Sequence, residues 1–284
     1  MSTLSTIESR LVARIAQRAP DLLDDLRRHV NLPTGPGGTG LDESRALFTT
    51  RLQRLGARTT LHPGDPRPDW ISPDPITSPP PPTAVCSRLD DARAPRILLA
   101  GHLDTAHPAS SPFRELSIAP DASRATGPGC MDMKGGIVIA LAALEALDDV
   151  GLPCSWSFLL NADEESGSYA SDRTLRDVAA KHDVGLAFEP ALPDGGLVIA
   201  RPGSAQFLLE VRGRAAHVGR DFTSGISAVN ALAERLLRIA SLPKPDQGLI
   251  VNVGPIDGGI ASNIVPDRAR AWGNVRFPDQ AAAD

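Results

Sequence analysis

The chain has 284 residues, 29 of them Lys or Arg and 34 Asp or Glu, a formal net charge of −5; with no long run of either sign, neither nucleic acid nor an anionic membrane is expected as a partner. Hydrophobic residues make up 42% and aromatics only 4%, so a sizeable core must come from Leu, Val, Ile and Ala, in one large domain or two smaller ones. Cys86, Cys130 and Cys154 are odd in number and form neither a CxxC nor a disulfide framework, which fits a reducing compartment.

A cytoplasmic location is expected. Met1 to Arg18 contains no signal-peptide apolar region, Arg27-Arg28 precedes no hydrophobic stretch, and no segment has the length of a membrane span. From Ile7 to Val30 the apolar residues Leu11, Val12, Ile15, Leu22, Leu23, Leu26 and Val30 follow helix spacing, with Pro20 dividing or kinking the run. Residues 31–38 form a loop, Leu41 to Leu55 an amphipathic helix stopped by Gly56, and residues 57–61 a short strand. Residues 63–82 hold nine prolines and read as an extended surface excursion or polyproline segment. Thr83 to Leu89 reads as a strand, followed by a turn over Asp90 to Pro95.

Ile97 to Ala100 is an apolar run expected to form a strand buried on both faces. It ends at Gly101, and His102 and Asp104 then stand two positions apart, on one side of an extended segment. Open α/β sheets bind ligands at that carboxyl edge, and a carboxylate beside an imidazole fixes its tautomer and improves it as a metal ligand. Taken alone, the pair is better explained by a solvated strand end.

The glycines of Gly127 to Gly136 suggest a phosphate loop, but GxxxxGK[ST] and GxGxxG are both absent. They read instead as a tight backbone path that delivers Asp132 into a crowded site. An apolar helix follows from Ile137 to Leu147. Ser155 to Leu160 is a strand ending in Asn161-Ala162-Asp163-Glu164-Glu165, a helix runs from Ser171 to Lys181, and the short strand Val184 to Phe188 has Glu189-Pro190 at its end. Strands alternating with helices predict an α/β sheet. Beyond residue 200 the pattern becomes βαββ: a strand over Ala205 to Val211, His217 in a loop, a helix from Ile226 to Ile239, and strands over Gly248 to Val253 and Arg268 to Phe277. The expected fold is therefore a mixed-sheet α/β catalytic domain flanked by helices (residues 1–200) with a smaller α+β lid over residues 201–284, its sheet open on one face.

The strand ends bring together His102, Asp104, Asp132, Glu164, Glu165 and Glu189. One imidazole with several carboxylates suits two divalent metals sharing a bridging carboxylate, with one further carboxylate free to take a proton from water. Glu164 and Glu165 can divide those roles, although two adjacent glutamates are by themselves most simply a solvated pair.

The motifs GHLDT (101–105), GPGCMDMKGG (127–136), NADEESGS (161–168) and AFEP (187–190) resemble those of the zinc exopeptidases and deacylases typified by glutamate carboxypeptidase, acetylornithine deacetylase and aminoacylase. GRAAHVG (213–219) and ASNIVP (261–266) resemble that family's lid, or dimerisation, domain. Order and spacing agree from about residue 5 to residue 278. The resemblance implies that His102 and Glu189 bind one metal, Glu165 the other, and that Asp132 bridges them. Asp104 would orient His102, and Glu164 would be the general base. His217 would stabilise the oxyanion in a dimer partner's site, while Asn263 and Arg276 would hold a substrate carboxylate. His29, His62, His107 and His182 match no motif and read as surface or packing residues.

The resemblance also carries expectations about cofactor and partner: zinc by the family's habit, cobalt or manganese fitting the same ligands, a small peptide-like or N-acyl amino acid as substrate, and a homodimer through the lid. Relatives continue beyond the position of Asp284 to a further metal-binding histidine, and no histidine follows His217 here. The lid is thus expected to be incomplete, the second metal weakly held and hydrolysis poor. A non-catalytic member kept for binding or dimerisation is the competing reading, opposed by the intact Glu164. A two-metal phosphoesterase is a third, opposed by the shortage of histidines.

Overall fold

The computed structural model describes residues 4–71, 73, 78–89, 94–121 and 123–284. Helix α1 (Thr6–Gln17) opens on a reciprocal cap, in which the Ser5 hydroxyl accepts from the Glu8 N–H and Glu8 accepts from the Ser5 N–H. Arg18 separates it from α2 (Ala19–Val30), so Pro20 does divide the apolar run. Proline costs nothing in a first helical turn, where its missing N–H would have no partner. Helix α3 (Leu41–Arg54) is followed by Gly56 at φ +83°, a left-handed turn that glycine adopts freely.

The chain divides into two compact units. The first, Met1–Pro66 with Pro79–Ala191, contains the strands β1 (Arg58–His62), β2 (Thr83–Arg88), β3 (Arg96–His102), a two-residue hairpin β4 (Ser117–Ile118) and β5 (Ala125–Thr126), helix α4 (Gly135–Asp149), β6 (Ser155–Asn161), α5 (Asp172–Ala179) and β7 (Val184–Ala187). The main sheet runs β1-β2-β6-β3-β7. The β1/β2 and β2/β6 pairs are antiparallel, and β6 and β7 flank β3 in parallel. This is the expected mixed sheet, and the crossovers through α4 and α5 set the carboxyl ends of β3, β6 and β7 along one rim.

The two neighbouring leucines of β3 explain why its run reads as continuously apolar. Leu99 joins Phe48 and Leu52 of α3 and Ile137 and Leu141 of α4 on one face of the sheet. Leu98 joins Val85, Leu159 and Val178 on the other. β6, in the middle of the sheet, is buried at every residue. β7 is apolar but exposed throughout; as the last strand in the order, it has a hydrogen-bonded strand neighbour on one side only among the described residues. The turn expected over Asp90 to Pro95 falls largely outside the described residues.

Gly101 lies where α4 presses on β3. A Cβ at this position would stand 2.7 Å from Ile137 Cγ1. Gly101→Ala is expected to destabilise the fold by about 1–3 kcal/mol, the usual cost of overpacking a filled core. Urea unfolding checks this, and a variant as stable as the wild type would contradict it.

The second unit comprises Arg67–Ser78 and Leu192–Asp284. Its strands β8 (Gly203–Arg212), β9 (Ile250–Gly258) and β10 (Arg268–Phe277) form an antiparallel sheet in the order β8-β10-β9. Helix α6 (Ala228–Ile239) covers one face, packing Ala228 and Leu232 on Ala269 and Ala271, and a short helix α7 (Gln280–Ala283) follows, capped by Asp279. β10 has the expected limits. β9 continues past Val253 through Pro255, which an edge strand tolerates because one side of its backbone has no strand partner among the described residues. Part of the proline-rich excursion belongs to this unit, where the Trp272 indole N–H donates to the backbone oxygen of Trp70. Among the described residues no helix is long and apolar enough to cross a membrane.

Candidate metal centre

The rim of the first sheet gathers the predicted ligands around His102. The imidazole is buried, with 1% exposure, and its Nδ1 lies 3.0 Å from the backbone oxygen of Asp104 and 3.4 Å from Asp104 Oδ1. Its Nε2 faces carboxylates: Asp132 Oδ1 at 2.9 Å, Glu189 Oε1 at 3.7 Å and Glu164 Oε2 at 3.9 Å. Two triads, His102–Asp132–Glu165 and His102–Glu164–Glu189, each offer ligand atoms within 4.8 Å of one another.

Each side chain arrives by a traceable local device. Gly129, at φ +68°, starts the irregular turn Cys130–Lys134, and a Cβ there would stand 2.6 Å from Thr105 Cγ2. Only glycine fits that approach, and the path beyond it carries Asp132 to His102. Asp104 does more than orient the imidazole. Its Oδ1 accepts from the Glu164 N–H (3.3 Å) and its Oδ2 from the Glu165 N–H (3.0 Å), so one carboxylate ties the end of β3 to the turn after β6. Glu165 Oε1 in turn accepts from the Ala106 N–H at 2.9 Å.

Burial by itself pulls the His102 imidazole down, but Asp104, Asp132 and Glu189 outweigh it and push the pKa up to about 9. Glu164 is held above the ordinary carboxylate range, first by burial and then by Glu165, Asp104 and Asp132, against the opposing pull of His102. Four carboxylates crowd one imidazole whose second nitrogen is already engaged, a donor set that suits a hard or borderline divalent cation. Since the metal-free imidazole carries a proton at neutral pH, cation uptake must release it.

Residues 199–284 match the M20_dimer family, described as the peptidase dimerisation domain. Carboxypeptidase G2 of Pseudomonas sp. (strain RS-16) is 27% identical over 272 residues, covering 91% of this chain and 60% of that protein. A probable carboxypeptidase of Aspergillus terreus is 34% identical over 210 residues, covering 66% of this chain and 47% of its own length. Residues 199–284 are thus a peptidase dimerisation domain of the M20 type, and the chain as a whole is similar to carboxypeptidases. It spans about half to three fifths of the length of these curated relatives. In fold the chain is similar to the dipeptidase Dug1p of Saccharomyces cerevisiae, with a TM-score of 0.68 at 14% identity over 97% of this chain and 73% of that one.

Within the second unit, His217 bridges to Ile264 and the Val218 N–H donates to the Asn263 oxygen (3.0 Å). His217 and Asn263 therefore lie together at the Arg268 end of β10. Arg276 does not join them. It lies eight positions further along β10 (276 − 268), roughly 26 Å at ~3.3 Å per residue, and its Nε donates to Asn274 Oδ1.

The sequence reading missed two supports. The Asp163 carboxylate accepts from the Ala170 (2.7 Å) and Ser171 (3.1 Å) N–H groups, which folds the glutamate turn back on itself; an aspartate shortly before a helix start was the available signal. Lys134 is wholly buried, and its Nζ donates to the backbone oxygens of His29 (2.9 Å) and Leu32 (3.0 Å). Burial lowers its pKa to about 8. Its signal was a lone lysine between Met133 and an apolar helix.

Because Asp104 holds both the imidazole and the glutamate turn, Asp104→Ala is expected to weaken cation affinity about 10–100-fold, the range for losing such an outer partner. Competition titration against a chromophoric chelator measures it. An unchanged affinity would remove Asp104 from the centre.

Proposed function

We propose that the chain hydrolyses an amide bond of a small peptide-like or N-acyl amino acid substrate, using two divalent cations, with zinc as the preferred ion and cobalt or manganese as substitutes. The observation that carries this reading is the convergence on His102 of two triads, with Asp132 and Glu165 and with Glu164 and Glu189, each with its ligand atoms within 4.8 Å of one another. His102 and Glu189 would hold one cation and Glu165 the other, with Asp132 between them. A cation so held lowers the pKa of a water molecule and polarises a carbonyl oxygen.

The protein's own groups supply the rest. Glu164 Oε2 accepts the proton of the attacking water and returns it to the leaving amine, a task that suits a carboxyl group raised above its usual range. Asp104 keeps the imidazole and the glutamate turn in register. His217 is assigned to the developing oxyanion in a dimer partner's site and Asn263 to the substrate carboxylate, on the strength of the lid motifs and their neighbouring positions. Arg276, further along β10, is assigned with Asn263 to the substrate carboxylate on the strength of its lid position. The match of residues 199–284 to a dimerisation domain supports a homodimer.

Removing metal with a chelator is expected to abolish hydrolysis of a panel of dipeptides and N-acyl amino acids, and adding back zinc, cobalt or manganese to restore it. Failure of the remetallated protein on every member of the panel would overturn the reading.

A further inference from the structure

Asp132 is the carboxylate asked to serve both cations, yet the fold holds it least directly. Its side chain is 51% exposed, and among the described residues the one group bonded to its carboxylate is His102 Nε2, at 2.9 Å. Asp104 and Glu165, by contrast, accept backbone N–H groups. With no such donor, the place of Asp132 follows from the backbone beside it.

The next two residues are both buried. Met133 is 1% exposed and sits among Leu99, Leu103 and Ile137, and its Sδ accepts from the His102 N–H at 3.2 Å. Lys134 is 0% exposed and reaches the other way, to the end of α2, where its Nζ meets the oxygens of His29 (2.9 Å) and Leu32 (3.0 Å). His29 lies in the last turn of α2, where carbonyls lack their helical partners and carry partial negative charge. No carboxylate pairs with this ammonium among the described residues. An ammonium kept out of water without an anion beside it costs the fold free energy, and an apolar side chain of similar length would fill the same space without that cost.

Resting on the two-cation reading, we propose that Lys134 is a positioning residue of the metal centre: by gripping the carboxyl end of α2 it pins the turn Cys130–Lys134 and so fixes the Asp132 carboxylate against His102 and the cations. Lysine suits the task because the three N–H groups on one nitrogen meet two carbonyls at once. Met133 ties the same turn to β3, so the backbone beyond Asp132 is anchored to two different elements.

The test is a double-mutant cycle on cation affinity, read by competition with a chromophoric chelator for zinc, cobalt or manganese. Lys134→Met keeps an unbranched stem and removes the ammonium. It should weaken affinity about 10–100-fold, the range for losing an outer support of a ligand. In protein already carrying Asp132→Asn, which keeps one ligand oxygen, the same substitution should change little further, because the group it positions is gone. A general loosening of the unit would weaken binding by the same factor in both backgrounds. An additive cycle therefore overturns the proposal, as does wild-type affinity in Lys134→Met. If circular dichroism shows that Lys134→Met does not fold, Lys134→Gln, whose amide keeps an N–H donor, enters the same cycle with a smaller expected loss. A coupled cycle in a protein that hydrolyses no member of the substrate panel supports Lys134 in this role and overturns the amide-hydrolase reading. An uncoupled cycle in an active protein overturns the role of Lys134 alone, and a wild type that binds none of the three ions overturns both.

Discussion

Glu164→Ala is expected to lower kcat about 10²–10⁴-fold, the usual contribution of a positioned general base, while cation affinity stays within a few fold of the wild type. The substitution leaves His102, Asp132, Glu165 and Glu189 in place. Alanine also keeps the backbone N–H that donates to Asp104 Oδ1, so the turn holds its shape. The experiment pairs turnover of an N-acyl amino acid with metal content by elemental analysis. Loss of turnover with metal retained assigns the proton to Glu164. Loss of metal instead makes Glu164 a ligand, as its grouping with His102 and Glu189 would allow, and passes the base role to Glu165. Unchanged turnover rules out both roles, and a protein without turnover before or after the substitution fits a binding or dimerisation member. A phosphate monoester run in parallel tests the phosphoesterase reading.

The residues differ in how openly they declared their places. Periodicity was enough wherever one element owns its burial pattern. β10 ends where its alternation ends, and the break between α1 and α2 follows from proline chemistry. The rim of ligands could be anticipated because a parallel sheet forces the carboxyl ends of β3, β6 and β7 to one side. Which glutamate takes which role could not, since neighbours in a short turn are separated by tertiary contacts such as the Ala106 N–H on Glu165. Lys134 and Asp163 escaped notice for a related reason: both satisfy backbone groups distant in sequence or across a turn, and such partners leave no period in the chain. Arg276 shows what spacing alone leaves open: the antiparallel register puts it at the end of β10 away from Arg268. The exposure of β7 was hidden as well, because an apolar run reads the same at the edge of a sheet as in its middle.

The stability of the metal-free protein should fall as the pH drops from about 6.5 toward 3, and His29 should account for roughly 5 kcal/mol of that loss. His29, at 1% exposure, stacks on Phe48 with ring centroids 3.7 Å apart and planes 7° from parallel. Its Nδ1 has no hydrogen-bond partner among the described residues. Burial, reinforced by the charges of Arg51, Lys134 and Arg28, lowers its pKa to about 3. The unfolded chain binds the proton near pH 6.5 and the folded chain does not, so the penalty is absent above that pH and grows as the pH falls toward the folded value. His102 works in the opposite sense. With its pKa raised to about 9, its contribution is complete below about pH 6.5 and is lost as the pH rises through 9. The two histidines therefore act in separate windows, and the acid limb reports His29. Replacing it by phenylalanine keeps a ring on Phe48 and removes the titration. At pH 4.5 the wild type should have lost about 3 kcal/mol more than His29→Phe, relative to their difference at pH 7. Urea unfolding at the two pH values decides it. Parallel profiles would mean that the imidazole is already protonated in the fold, and that the stack between α2 and α3 carries a charge.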